Sequence, residues 1–159
     1  MRTYPGPVDL SFLLNQVSYA FAARLADALA EVELSVREYC VLWKAAEQPR
    51  TQAEIATLAG LDKTTMVVTL DRLTDRGLAQ RTPSPTDRRA RLVDVTDAGA
   101  DAYERGRVIV ERVTEEVLGT LSATDRAAFV RGLEALVGGT LAEPSHVRPE
   151  RRKEIRAGR

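Results

Sequence analysis

At 159 residues, with 44% hydrophobic and only 5% aromatic residues, the chain is long enough for one domain or two small lobes, and it favours helices over a β-sandwich. Its 23 basic and 23 acidic residues cancel, which excludes nucleic-acid binding driven by the field of the whole molecule. A single cysteine, Cys40, excludes an intrachain disulfide, and with the single histidine, His146, it does not close a Cys/His zinc site, so neither metal nor cofactor is expected. In chain order, Pro5-Gly-Pro7 marks an irregular leader without the basic-then-apolar pattern of a signal peptide. No apolar run reaches the ~18 residues of a membrane span, so a cytoplasmic protein without membrane contact is the expectation. Helical spacing runs over about 8–32, with Leu14, Val17, Phe21, Leu25, Leu29 and Val32 on one stripe. Ser35-Val-Arg-Glu38 is a capping box that opens a second helix over about 36–47, with Val36, Tyr39, Cys40 and Trp43 on one face.

Thr51-Gln-Ala-Glu54 is a second capping box and opens a short third helix that Gly60 stops. Asp62 caps a fourth helix over about 63–76, stopped by Gly77; two capped helices joined by so short a turn predict a helix-turn-helix. Residues 78–82 and 91–96 then read as strands around the turn-rich, basic segment Pro83-Ser-Pro-Thr-Asp-Arg-Arg-Ala90, a hairpin wing. Thr96 or Asp97 caps a fifth helix over about 98–120, with Ala102, Gly106, Val110, Val113 and Val117 near one stripe. Ser122 caps a sixth, with Phe129, Leu133, Leu136 and Val137 expected inward and Gly138-Gly139 at its end. The expected fold is therefore mainly α, with six helices, a winged helix-turn-helix with a small β-hairpin, and a helical dimerisation region made from both termini.

Charge is distributed unevenly along this order. Residues 1–47 carry a net of −2, 48–98 a net of +1, 99–147 a net of −3 and 148–159 a net of +4. At about 100° per residue, Met66, Leu70 and Leu73 share one arc of the fourth helix. Thr64, Thr65, Val68, Asp71 and Arg72 share the opposite arc, with Val67 at its edge and Lys63 at its start. Small hydroxylated residues at a helix N-terminus permit close approach to phosphates and base edges, Arg72 suits phosphate or guanine, and the valines suit a thymine methyl. Arg88, Arg89 and Arg91 at the wing suit a minor groove, with Asp87 placed to hold Arg89 in a fixed rotamer. No Ser/His/Asp or Cys/His set, metal-ligand cluster or phosphate-cradling glycine loop accompanies them, so the chain reads as a double-stranded-DNA-binding transcription regulator and not as an enzyme.

The run Leu61-Asp-Lys-Thr-Thr-Met-Val-Val-Thr-Leu-Asp-Arg-Leu-Thr-Asp-Arg-Gly-Leu78, followed by Pro83-Ser-Pro-Thr-Asp-Arg-Arg-Ala90 and Val93-Asp-Val-Thr-Asp-Ala-Gly99, resembles the MarR (multiple antibiotic resistance regulator) family over about residues 8–140. The resemblance implies a homodimer whose terminal helices, 8–47 and 98–140, interlock around winged lobes at 48–97. It implies a ligand-responsive repressor on a near-palindromic operator, with Arg89, oriented by Asp87, in the minor groove. Val67 and Val68 depart from the Thr and Arg that many relatives carry, which leaves the base-reading pattern unspecified. The family's small-molecule pocket implies a small aromatic or phenolic effector; Phe21, Tyr39 and Trp43 are candidates to line it, with a place in the dimer core as the plainer alternative. Two other readings stand beside this one. A redox-sensing regulator through Cys40 competes with Cys40 as a small buried hydrophobe. A winged-helix module that binds protein in place of DNA is opposed by Arg88, Arg89 and Arg91. The basic stretch within 143–159 reads as a tail.

Overall fold

The structure, a computed structural model, describes residues 9–84, 90–139 and 141. Two compact units divide the chain, Met1–Val117 and Leu118–Arg159. In the first, α1 (Leu10–Leu29) begins at Asp9, whose carboxylate accepts from the Phe12 amide at 3.0 Å. A single 3₁₀ turn, Ala30–Val32, follows, so the predicted helix of 8–32 is shorter at both ends. Next come α2 (Val36–Glu47), β1 (Arg50–Thr51), α3 (Gln52–Leu58), α4 (Lys63–Asp75), β2 (Ala79–Pro83), β3 (Arg91–Val95) and α5 (Asp97–Leu118). Both predicted capping boxes form, at Ser35/Glu38 and Thr51/Glu54.

Three helices end on one device. The chain turns left-handed at Glu33 (φ 57), Gly60 (φ 63) and Gly77 (φ 67). The following leucine amide then reaches back five residues: Leu34 to the Leu29 carbonyl at 3.1 Å, Leu61 to Ala56 at 2.8 Å, and Leu78 to Leu73 at 2.8 Å. This satisfies carbonyls that the helix end leaves free and turns the leucine onto the body of the protein. Leu34 and Leu78 are buried, and Leu61 packs against the core. Glycine meets the backbone demand without steric cost at two of these sites; Glu33 does so as an ordinary L-residue, where the left-handed well costs roughly 1–2 kcal/mol.

The sheet has the order β1-β3-β2, antiparallel throughout. Register runs from Ala79 opposite Val95 to Pro83 opposite Arg91, one residue later than expected for the first strand. Pro83 lies on an edge strand, where its missing donor is tolerated. The two-residue β1 was not anticipated; it places Arg50 opposite Val93 and Thr51 opposite Leu92. Leu29, Val41, Leu42, Ile55, Met66, Leu70, Leu73 and Val93 form the fully buried centre of the core. Each such side chain contributes about 1.5–3 kcal/mol through lost apolar exposure.

The exit from β3 into α5 is the tightest junction. The Thr96 amide donates to the Leu78 carbonyl at 3.2 Å, and its hydroxyl donates to the Gly77 carbonyl at 2.7 Å. The same hydroxyl accepts from the Gly99 amide at 3.1 Å, which makes Thr96, of the two candidates, the cap of α5. A Cβ on Gly99 would stand 1.9 Å from the Leu78 oxygen. Further along α5, Gly106 lies against Tyr39, Leu34 and Leu29, where a Cβ would stand 2.9 Å from the Tyr39 ring.

Some expected burial is not found within the chain. Leu14 and Val17 of the α1 stripe are 39% and 53% exposed. In the second unit, α6 (Ala123–Val137) is capped by Ser122 but buries no residue, and Phe129, Leu136 and Val137 are exposed. These apolar positions are exposed among the described residues.

Gly99→Ala is expected to lower stability by about 3 kcal/mol, because a backbone carbonyl cannot rotate away as a side chain can. Gly132→Ala in α6, where a Cβ would meet nothing within 4 Å, should instead be neutral or stabilising by up to about 1 kcal/mol. Urea denaturation of the two variants checks the contrast.

Candidate nucleic-acid interface

The α4 helix is anchored on one side and open on the other. Met66, Leu70 and Leu73 are fully buried, and Thr69 is buried with its hydroxyl donating to the Thr65 carbonyl at 2.7 Å. Lys63, Thr64, Val67, Val68, Asp71 and Arg72 are exposed. At the helix start, the Asp62 carboxylate accepts from the Thr65 amide at 2.9 Å and from its hydroxyl at 2.6 Å. These hydrogen bonds hold the Asp62 carboxyl below the usual carboxylate range. They also commit the Thr65 hydroxyl to capping, which leaves Thr64 as the exposed hydroxyl of the pair. The open arc thus combines two cations, one hydroxyl and two β-branched methyl surfaces, a set that suits phosphate oxygens and thymine methyls.

Asp71, on the same arc, is not a free acid. Arg81 of β2 donates to it at 2.6 Å, tying the open side of α4 to the first strand of the hairpin. As an exposed pair it adds little stability, but it fixes one element against the other and neutralises the acid. The hairpin's last described contact is the Ser84 amide on the Ala90 carbonyl at 3.2 Å. Arg91 is exposed at the start of β3. Asp87, Arg88 and Arg89 lie outside the described residues.

A second wall faces α4. Ser35, Arg37 and Glu38 at the start of α2 share a cleft of about 260 Å³ with Thr64, Thr65, Val68, Thr69 and Arg72. Glu38 is buried there; one of its oxygens accepts from the Ser35 amide at 2.8 Å and the other pairs with Arg76 at 3.5 Å. The sequence showed the capping box but not the Arg76 pairing, and it gave Arg37 no role.

The three aromatic candidates have different surroundings. Phe21 is half-buried, and Tyr39 is buried and stacked on Tyr103 at 5.6 Å between ring centroids. Burial first, then the Tyr103 phenol, pushes the Tyr39 hydroxyl up to about 12. Trp43 is 40% exposed, with the Lys44 ammonium 3.5 Å from its ring centroid. Of the face predicted for α2, Tyr39 is buried and Val36 and Cys40 are half-buried, while Trp43 is exposed.

A family model described as MarR family matches residues 32–90. CouR from Rhodococcus jostii, solved bound to p-coumaroyl-CoA, is 30% identical, with 88% of this chain and 96% of that one covered at a TM-score of 0.74. The chain belongs to the MarR family. A second structure, of the transcriptional repressor CouR bound to a 23-mer DNA duplex, is likewise 30% identical, covering 82% of this chain and 92% of that one at a TM-score of 0.72. The HTH-type transcriptional repressor NicR of Pseudomonas putida is 30% identical over 89 residues, 56% of each chain, so this chain spans little more than half of that repressor's length. Among the described residues of this MarR-family chain, no helix is long and apolar enough to cross a membrane.

Cys40 of this MarR-family chain is half-buried, and burial pushes its thiol up, with the nearby Lys44 charge only partly opposing. A raised thiol keeps less thiolate at neutral pH than free cysteine does, which opposes a reactive sensor. Labelling of the native protein by an aromatic disulfide reagent at pH 8 is therefore expected to be slower than that of free cysteine, with a rate that keeps climbing beyond pH 9. A rate that plateaus below pH 8 would show a thiolate-stabilising niche in its place.

Proposed function

We propose that this MarR-family chain is a DNA-binding transcription regulator that works as a homodimer on a near-palindromic operator and represses until a small aromatic or phenolic effector binds. The observation that carries the reading is the open arc of α4: Lys63, Thr64, Val67, Val68 and Arg72 are exposed on a helix whose other side is locked into the core. In this reading α4 enters the major groove. The wing, with Arg88, Arg89 and Arg91 and with Asp87 orienting Arg89, reaches the adjoining minor groove. The likeness to CouR supports both halves, since that repressor is solved bound to a DNA duplex and bound to p-coumaroyl-CoA. The exposed apolar residues Leu10, Phe12, Leu13, Leu14 and Val17 of α1, and Phe129, Leu136 and Val137 of α6, support a dimer through 8–47 and 98–140, because water-exposed stripes of this kind are unfavourable unless covered.

A gel shift on the intergenic DNA flanking the gene, followed by a footprint, tests the reading. Protection of two half-sites about one helical turn apart is expected. Arg89→Ala should weaken operator binding by about 1–3 kcal/mol, as for a well-placed groove contact. Unchanged affinity in an anisotropy titration removes the groove role of Arg89. Sedimentation at micromolar concentration should show a dimer, and a stable monomer would end the dimeric reading. Duplex affinity that is indifferent to salt would favour a protein-binding winged helix over a DNA-binding one.

A further inference from the structure

The cleft between the start of α2 and the open arc of α4 holds two guanidinium groups, Arg37 on one wall and Arg72 on the other. Neither has a hydrogen-bond or ion-pair partner among the described residues. The acid in the cleft, Glu38, is withdrawn from them: it is buried and bound to the Ser35 amide and to Arg76. Thr65 and Thr69 in the same cleft spend their hydroxyls on Asp62 and on the Thr65 carbonyl. The cleft's uncommitted charge is therefore positive, and it opens beside the surface that the proposed function lays on DNA.

Arg37 also sits where helix physics does not want it. It is the second residue of α2, at the positive end of the helix dipole, where acids are favoured and a cation is unfavourable. The helix gains nothing from a cation there, and no carboxylate among the described residues pairs with it.

We propose that this cleft seats a backbone phosphate of the operator, with Arg37 and Arg72 closing on it from opposite walls, so that α2 contributes to the DNA contact alongside α4 and the wing. The seat extends the footprint beyond the helix-turn-helix and carries no base information, because a phosphate is the same at every step. This inference rests on the DNA-binding reading above and deepens it.

The test is a duplex-binding series by fluorescence anisotropy from 50 to 300 mM KCl, with the full chain, Arg37→Ala and Arg37→Lys, on operator and on scrambled duplex. Arg37→Ala should weaken both duplexes by a similar factor, roughly threefold to tenfold, and lower the slope of log affinity against log salt by about one. Arg37→Lys should restore most of the slope. The melting temperature of Arg37→Ala should stay level or rise slightly, since a misplaced cation has been removed, which separates lost contact from lost fold. If the full chain binds no duplex, the DNA-binding reading itself fails. If the full chain binds and Arg37→Ala leaves affinity and slope unchanged, the seat alone is overturned. If inorganic phosphate at a few millimolar, under constant ionic strength, protects the full chain against thermal unfolding but not Arg37→Ala, while duplex binding is identical in the two, the cleft is a small-anion site and the proposal is overturned.

Discussion

The junction of α4, the hairpin and α5 depends on the close approach of Gly99 to the Leu78 carbonyl. Leu78 follows the turn that ends α4 and precedes β2, while Gly99 is in the first turn of α5. Thr96 sews the two together by taking hydrogen bonds from one side and giving them to the other. The end of α4, both ends of the hairpin and the start of α5 are thereby fixed against one another within a few residues. A side chain at position 99 would occupy the volume of the Leu78 oxygen, so the junction closes only because that residue has none.

From that junction the α4 surface follows. Its buried side is apolar and its open side mixes cations, a hydroxyl, two valines and two acids, of which Asp71 is paired with Arg81 while Asp75, at the end of the helix, is exposed. The chain as a whole is electrically neutral, yet charge is partly sorted locally: three carboxylates near α4, Asp62, Glu38 and Asp71, are engaged in caps and ion pairs, while Lys63, Arg37 and Arg72, and at the helix end Asp75, stay in water. A zero total is compatible with a surface that attracts anions when more of its acids than of its bases are already paired.

Legibility in the sequence followed the range of each interaction. Capping boxes, the left-handed glycines and the core arc of α4 are set by residues within four or five positions, and they were readable. The family resemblance rests on strings, Asp87-Arg-Arg and Thr96-Asp-Ala-Gly99, whose second member has a steric reason in the structure. What was not readable depends on distant partners. The strand β1 is two residues long and exists only because β3 offers an edge. Arg76 on Glu38 and Arg81 on Asp71 join separate elements, and no local spacing announces them. An apolar stripe in α1 or α6 says that some surface should cover it, but not whether that surface belongs to the same chain. Nor does helical spacing announce that Trp43 is 40% exposed in this chain, with the Lys44 ammonium over its ring.

The separation of the two sides of α4 has an evolutionary consequence. Met66, Leu70 and Leu73 are fully buried and bear the packing, whereas Val67 and Val68 are 36% and 46% exposed and bear less of it. Exchanges at such water-facing positions ordinarily alter stability by no more than about half a kilocalorie. Descendants of this gene are therefore able to drift through many combinations at 67 and 68 without passing through an unfolded ancestor, so that under the proposed function the address read by α4 evolves on a scaffold that need not evolve with it.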